Sequence, residues 1–209
     1  MAIQAVIFDF GLVLSAPQDP AIYAEICRLA GLSREQFESL YWVDRHAYDE
    51  GKITGLEFWQ KLLRDAKKSS QNGLAEQLSL LDGEMWCTAN AAMVEWQRQL
   101  RQQGIRTAIL SNMGDSVHES IARNCPWIQN FDVLVWSYQL KVAKPDATIY
   151  LHTLGQLGTR PEETLFVDDK LINIEAARAL GINGFEFSTA ARLRNDLIAA
   201  GLDKNLPLP

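Results

Sequence analysis

Ala5-Val6-Ile7-Phe8-Asp9-Phe10-Gly11 decides the fold. Four apolar residues with a β-branched pair stop at a carboxylate and then a glycine, the way a strand buried on both faces runs out into a loop. The pattern recurs three times: Thr107-Ala108-Ile109-Leu110 before Ser111, Val133-Leu134-Val135 before Trp136, and Leu165-Phe166-Val167 before Asp168. Helical stretches separate these runs, about Ala92 to Gln103, Asp115 to Asn124, Ala147 to Leu157 and Ile172 to Leu180, the last closed by Gly181. Alternating strands and helices predict an α/β fold, a doubly wound parallel sheet. Ligands of such sheets bind outside the carboxyl ends of the strands, so Asp9, Ser111, Asp168 and Asp169 are expected to converge there.

The stretch from Ser15 to Asn90 breaks the rhythm, with helical patterns and hardly any strand-like run. It reads as a helical insertion: residues 15–90 form a small cap, and residues 1–14 and 91–209 form the core. Two capping boxes, Ser33 with Gln36 and Thr54 with Glu57, mark helix starts within it, and Gly31 and Gly51 mark helix ends. Lys67 to Gly73 is polar and reads as a mobile turn, and the Leu206-Pro207-Leu208-Pro209 tail as a simple end.

Composition narrows the function. Hydrophobic residues make up 47% of the 209 and charged residues 22%, as in a packed globular protein. A net charge of -6 without Lys/Arg clusters argues against nucleic acid as a partner. Cys27, Cys87 and Cys125 have no metal-ligand spacing and read as reduced thiols, which fits a cytoplasmic location. Asp9 interrupts the only apolar stretch near the start, so neither a signal peptide nor a membrane span is expected. A monomer and a homodimer are equally compatible with the sequence.

Each candidate site residue has an ordinary reading as well as a chemical one. Asp9 alone would be a turn cap, Ser111-Asn112 a helix start, Asp168-Asp169 a pair of helix caps, and Lys144 a solvated charge. Together they form a set. A carboxylate that attacks phosphorus needs a cation against phosphate repulsion, hydroxyl and amide donors for the phosphoryl oxygens, and a fixed positive charge. Asp168-Asp169 offers hard oxygen ligands suited to Mg²⁺. Ser111 and Asn112 offer an anion cradle, and Lys144, ahead of Pro145 at an expected helix start, a presented ammonium.

The order and spacing of Val6-Ile7-Phe8-Asp9-Phe10-Gly11-Leu12-Val13-Leu14, Leu110-Ser111-Asn112, Ala143-Lys144-Pro145-Asp146 and Phe166-Val167-Asp168-Asp169, with Asn173, resemble the haloacid dehalogenase-like hydrolases, a superfamily dominated by phosphatases. The resemblance spans essentially the whole chain. It is nearest to the glucose-1-phosphate phosphatase-like proteins and the phosphatase domain of soluble epoxide hydrolases. It implies a Rossmann-like core, an aspartyl-phosphate on Asp9, phosphoryl binding by Ser111 and Lys144, and Mg²⁺ held by Asp9, Asp169 and the Gly11 backbone carbonyl. Asp168 would position Lys144 or a metal-bound water, and Asn173 would orient the metal's surroundings. The substrate implied is a small phosphorylated metabolite, with sugar phosphates among the candidates.

One position departs from the pattern. The usual phosphatase sequence has a second aspartate two residues after the nucleophile, as general acid and base, and here Gly11 stands there. Such proton transfer contributes on the order of 10² to 10⁴ in rate, so substrates with good leaving groups are expected to suffer least. A 2-haloacid dehalogenase and a catalytically weak binding or regulatory protein on the same scaffold stand as alternatives. In the insertion, Trp42, Arg45, His46, Tyr48 and Glu50 are candidates for the substrate side, with Arg45 and His46 as contacts to a sugar or carboxylate; packing aromatics and a solvated face are the competing reading. His118 and His152 are expected to be structural, and Trp59, Trp86, Trp96 and Trp127 to pack.

Overall fold

The structure, a computed structural model, describes residues 2–69 and 73–209. Five parallel strands form one sheet in the order β3-β2-β1-β4-β5: β1 Ala5–Phe8, β2 Arg106–Ser111, β3 Val133–Trp136, β4 Thr164–Asp168 and β5 Asn183–Glu186. Strand periodicity divides the core in two. Val6, Phe8, Ile109, Leu165 and Val167 face one side, where they join Trp96 and Leu100 of α6 (Ala91–Gln102), Ile121 of α7 (Asp115–Asn124) and Leu197 of α11 (Ala190–Ala199). Ala5, Ile7, Ala108, Leu110 and Phe166 face the other. They join Ile149 and Leu154 of α9 (Ala147–Leu157) and Ile174 and Ala177 of α10 (Leu171–Ala179). A short α8 (Ser137–Leu140) follows β3.

Between β1 and α6 lie α1 (Pro20–Ala30), α2 (Arg34–Tyr41), α3 (Arg45–Asp49), α4 (Gly55–Asp65) and α5 (Leu74–Glu84). The chain leaves and re-enters the core through a neck, in which Ser15 and Ala89 form an antiparallel bridge and Asn90 donates through its backbone to Leu14 and through its side chain to Val13. Both capping boxes form, at Ser33 with Gln36 and Thr54 with Glu57, and Gly31 takes the left-handed conformation that ends α1. Within the polar stretch Lys67 to Gly73, residues 70–72 lie outside the described ones.

Three features differ from the sequence reading. A fifth strand and α11 follow Gly181, where no element was expected. The tail is docked rather than loose: Leu206 is buried and the Trp96 indole donates to the Pro207 carbonyl at 2.7 Å. Pro145 does not open a helix, because the Asp146 side chain accepts from the Thr148 backbone and caps α9 one residue later.

Candidate active site

In the order β3-β2-β1-β4-β5 the chain switches sides of the sheet between β1 and β4, and a crevice opens at their carboxyl ends. Asp9 follows β1, while Ser111 ends β2 and Asp168 ends β4. The chain after β1 turns sharply. Ser15 donates its backbone N–H to the Phe10 carbonyl, its hydroxyl accepts from the Leu12 backbone, and Leu12 sits at φ 60°, a conformation costly for a branched residue. This tight loop presents Asp9, Gly11 and Leu12 to one cavity.

The cavity, about 110 Å³, has an acidic end. Carboxylate oxygens of Asp9, Asp168 and Asp169 lie within 4.8 Å of one another. Lys144 is buried among them, its Nζ donating to Asp168 Oδ2 (2.6 Å), to Asp9 Oδ1 (2.9 Å) and to the Leu110 carbonyl (2.9 Å). Those three bonds use all the donors an ammonium has. Its backbone is clasped by Asn112, whose side chain accepts from the Lys144 N–H (2.8 Å) and donates to its carbonyl (2.9 Å). Asn112 therefore lines the cavity with its amide already engaged.

Asp168 is the most committed of the three carboxylates. Besides Lys144 it accepts from Asn173 Nδ2 at both oxygens (2.9 and 3.0 Å) and from the Lys170 backbone (2.8 Å), and Tyr150 holds Asn173 through its carbonyl (3.0 Å). Asp9 Oδ1 accepts from the Phe10 N–H at 2.7 Å as well as from Lys144. Both contacts fall on the same oxygen, Oδ1.

Burial raises the Asp9 carboxyl to about 6, against the opposing pull of Lys144, with Asp168 and Asp169 adding to the rise. Burial and Asp168 also raise Asp169. Burial works against the Lys144 charge, but Asp168 and Asp9 outweigh it, and the ammonium is held above its ordinary range. Three carboxylates gathered in one crevice suit a hard divalent cation. Asp9 and Asp169 are the two with ligand capacity to spare, and Gly11 lines the wall beside them.

The insertion supplies Trp42, Arg45, Asp49 and Trp86 to the cavity, and α7 supplies Val117 and Ile121. Arg45 is buried, paired with Asp49 (3.0 Å) and Asp82 (3.7 Å), bonded to the Tyr41 hydroxyl, and stacked over the Tyr41 and Tyr48 rings. His46 lies off the cavity: on α3 it is one residue round from Arg45, its side chain is 72% exposed, and it faces Glu50 at 3.4 Å. Tyr48 and Glu50 likewise line no part of it. His118 packs on Trp136 and bonds Tyr138, and His152 is exposed. Trp86 combines packing with a place on the wall. Asp49, Lys170 and the α7 residues escaped the sequence reading; Lys170, next to the Asp168-Asp169 pair, carried a usable signal, whereas Val117 and Ile121 look like any core positions.

Fold and site together define an α/β enzyme with a nucleophile-like aspartate at a strand end. The sequence profile of the haloacid dehalogenase-like hydrolases matches residues 3–181, and the chain belongs to that family. A sesquiterpene phosphatase of Aspergillus oryzae is 30% identical over 152 residues, 67% of this chain and 77% of that protein. Bifunctional epoxide hydrolase 2 of Mus musculus is 27% identical over 214 residues, 93% of this chain but 38% of the longer enzyme. A phosphatase of Mycobacterium tuberculosis is 24% identical over 204 residues, 95% of this chain and 93% of its own. Among solved structures, a HAD family enzyme of Bacteroides thetaiotaomicron in complex with magnesium and inorganic phosphate superposes with a TM-score of 0.72 at 23% identity, covering 89% of this chain and 94% of that one. Among the described residues no helix is long and apolar enough to cross a membrane.

Proposed function

We propose that this hydrolase is a Mg²⁺-dependent phosphatase of a small phosphorylated metabolite, acting through an aspartyl-phosphate on Asp9. The observation that carries this reading is the meeting of Asp9, Asp168 and Asp169 around buried Lys144, in a cavity that also receives Ser111. Relatives named as phosphatases support it.

Asp9 Oδ2 attacks phosphorus while Oδ1 stays pinned by Lys144 and the Phe10 N–H. The phosphorus–ester oxygen bond breaks as the bond to Asp9 forms, and the alcohol leaves with a proton from water; a second water then hydrolyses the acyl phosphate, releasing phosphate and returning Asp9 as a carboxylate. Ser111, at the cavity wall, is assigned to a phosphoryl oxygen. Lys144 holds Asp9 ionised and aligned, and Asp168, fixed by Asn173, holds Lys144. Asp9, Asp169 and the Gly11 carbonyl are the assigned holders of Mg²⁺, which when bound would offset the charge of the phosphate dianion. Helices α1–α5 act as a cap that contributes Trp42, Arg45 and Asp49 to the wall over this end.

The test is hydrolysis of p-nitrophenyl phosphate with Mg²⁺, with EDTA, and in Asp9→Asn. Turnover that needs the metal and disappears in the variant is expected; equal turnover in Asp9→Asn would overturn the assignment. The dehalogenase alternative gains no support from the site, since clustered carboxylates repel a 2-haloacid. Chloride release from 2-chloropropionate in EDTA would reinstate it.

A further inference from the structure

Beyond the acidic end the cavity changes character. Much of its remaining wall is apolar, Leu12, Trp42, Trp86, Met113, Val117 and Ile121, drawn from the loop after β1, the insertion, and the segment from β2 into α7, with Arg45, Asp49 and Lys170 among them. Several polar side chains in reach are already committed, although Ser111, Asp49 and Lys170 also line the cavity. Asn112 spends its amide on the Lys144 backbone, Asn173 on Asp168, and Arg45 is held by Asp49, Asp82 and Tyr41. Among the described residues Arg45 Nε and Trp86 Nε1 have no partner, a small set of buried donors that suits one or two hydrogen bonds near an ester oxygen better than the many hydroxyls of a sugar.

The rim continues the pattern. Trp42 is 50% and Leu12 40% exposed, and both line the cavity. Large apolar side chains left in water around the mouth of a pocket mark a site for an apolar ligand.

We infer that the substrate is a phosphate monoester of an apolar alcohol, a hydrocarbon chain or ring, whose phosphate enters the Asp9 end while its hydrocarbon lies against Trp42, Trp86, Val117 and Ile121. The inference rests on the phosphatase reading for the chemistry and on the lining for the ligand class. It also replaces sugar phosphates as the first candidates, because a polyol placed against this wall would lose its water and regain few hydrogen bonds.

Calorimetric titration with Mg²⁺ and a series of n-alkyl phosphonates, methyl to hexyl, tests it on the intact chain without turnover. Affinity should rise by about fourfold per methylene until the cavity is filled, and the phosphonate isostere of glucose 1-phosphate should bind no better than methylphosphonate. Trp42→Gln at the rim and Val117→Thr on the wall should each weaken hexylphosphonate severalfold and leave methylphosphonate unchanged; a variant that merely misfolds would weaken both. A flat series, or tighter binding of the sugar isostere than of hexylphosphonate, would overturn the inference. Hydrolysis of p-nitrophenyl phosphate is scored separately: a steep chain-length series without turnover would uphold the ligand class and remove the phosphatase reading.

Discussion

Asp9 sits where its negative charge is least welcome, and this sets its response to pH. With a folded value of about 6 against an ordinary 3.8, ionising Asp9 costs the metal-free fold stability as pH rises through that interval, and above pH 6 the cost is fully present. Asp9→Asn removes that charge while leaving the Lys144–Asp168 pair in place. At pH 7.5 in EDTA the variant should therefore melt at or above the wild-type temperature, and lose the upward shift that Mg²⁺ gives the wild type. The wild-type shift should itself fade below about pH 6, where protons compete for Asp9. Thermal scans at pH 5 and 7.5, with and without Mg²⁺, measure both. A large drop in Tm for Asp9→Asn would show instead that its bond to Lys144 is structural. Gly11 makes a second case. Its φ of -63° and ψ of 131° suit any residue, and an added Cβ would meet only the Trp86 ring, at 3.9 Å. Nothing in the backbone requires glycine, so Gly11→Asp should fold and supply the missing acid and base. We expect kcat/KM for an alkyl phosphate to rise by about 10-fold or more relative to an aryl phosphate. No change in that ratio would mean that the proton is already supplied elsewhere.

At the scale of elements, four of the five strands and the longer helices between them, though not the four-residue α8, were legible because each buried strand is a continuous apolar run and each longer helix carries its period. β5 was not: Asn183-Gly184-Phe185-Glu186 has little apolar character, and its glycine is there because Ile174 packs close enough for a Cβ to meet it at 3.0 Å. That constraint comes from α10 and has no local signature. Site legibility divides the same way. Asp9, Ser111, Lys144 and Asp168-Asp169 stand at strand ends or beside a proline, where sequence position carries information. Arg45 and His46 differ only in the face of a five-residue helix, which tertiary packing decides. The tail was the other misreading, and it can be measured. Removing residues 206–209 gives up the buried Leu206 and the Trp96–Pro207 hydrogen bond. A loss of about 2–4 kcal/mol in urea unfolding should follow; an unchanged midpoint would return the tail to a simple end.

The whole molecule shows how tightly the insertion is built into the rest. One apolar cluster runs without a break from Phe37, Trp59 and Leu78 of the insertion to Phe8, Trp96 and Ile121 of the core. Small residues set the approach: a Cβ on Gly83 would lie 2.3 Å from Ser120, one on Gly55 2.2 Å from Ser116, and one on Gly114 1.9 Å from the Tyr48 ring. Hydrogen bonds tie the same face, Gly55 N–H to Asp115 at 2.8 Å and Lys141 Nζ to the Gly51 carbonyl at 2.6 Å. An insertion seated this way cannot hinge far from the core without tearing that cluster, so ligands are expected to enter past the rim at Leu12 and Trp42. Close packing also couples its stability to the core's, and heat should unfold the chain in a single transition with equal calorimetric and van't Hoff enthalpies. Two glycine-to-alanine substitutions separate seating from propensity. Gly155→Ala, on an exposed turn of α9 with no atom within 4 Å of the new methyl, should stabilise by about 0.5–1 kcal/mol. Gly114→Ala must push the Tyr48 ring, and with it α3 and its Arg45–Asp49 pair, off the core, so it should destabilise by about 2 kcal/mol or more and raise KM. If Gly114→Ala instead left both Tm and KM untouched, the insertion would be loosely hung, and access by opening of the whole insertion would replace entry past the rim.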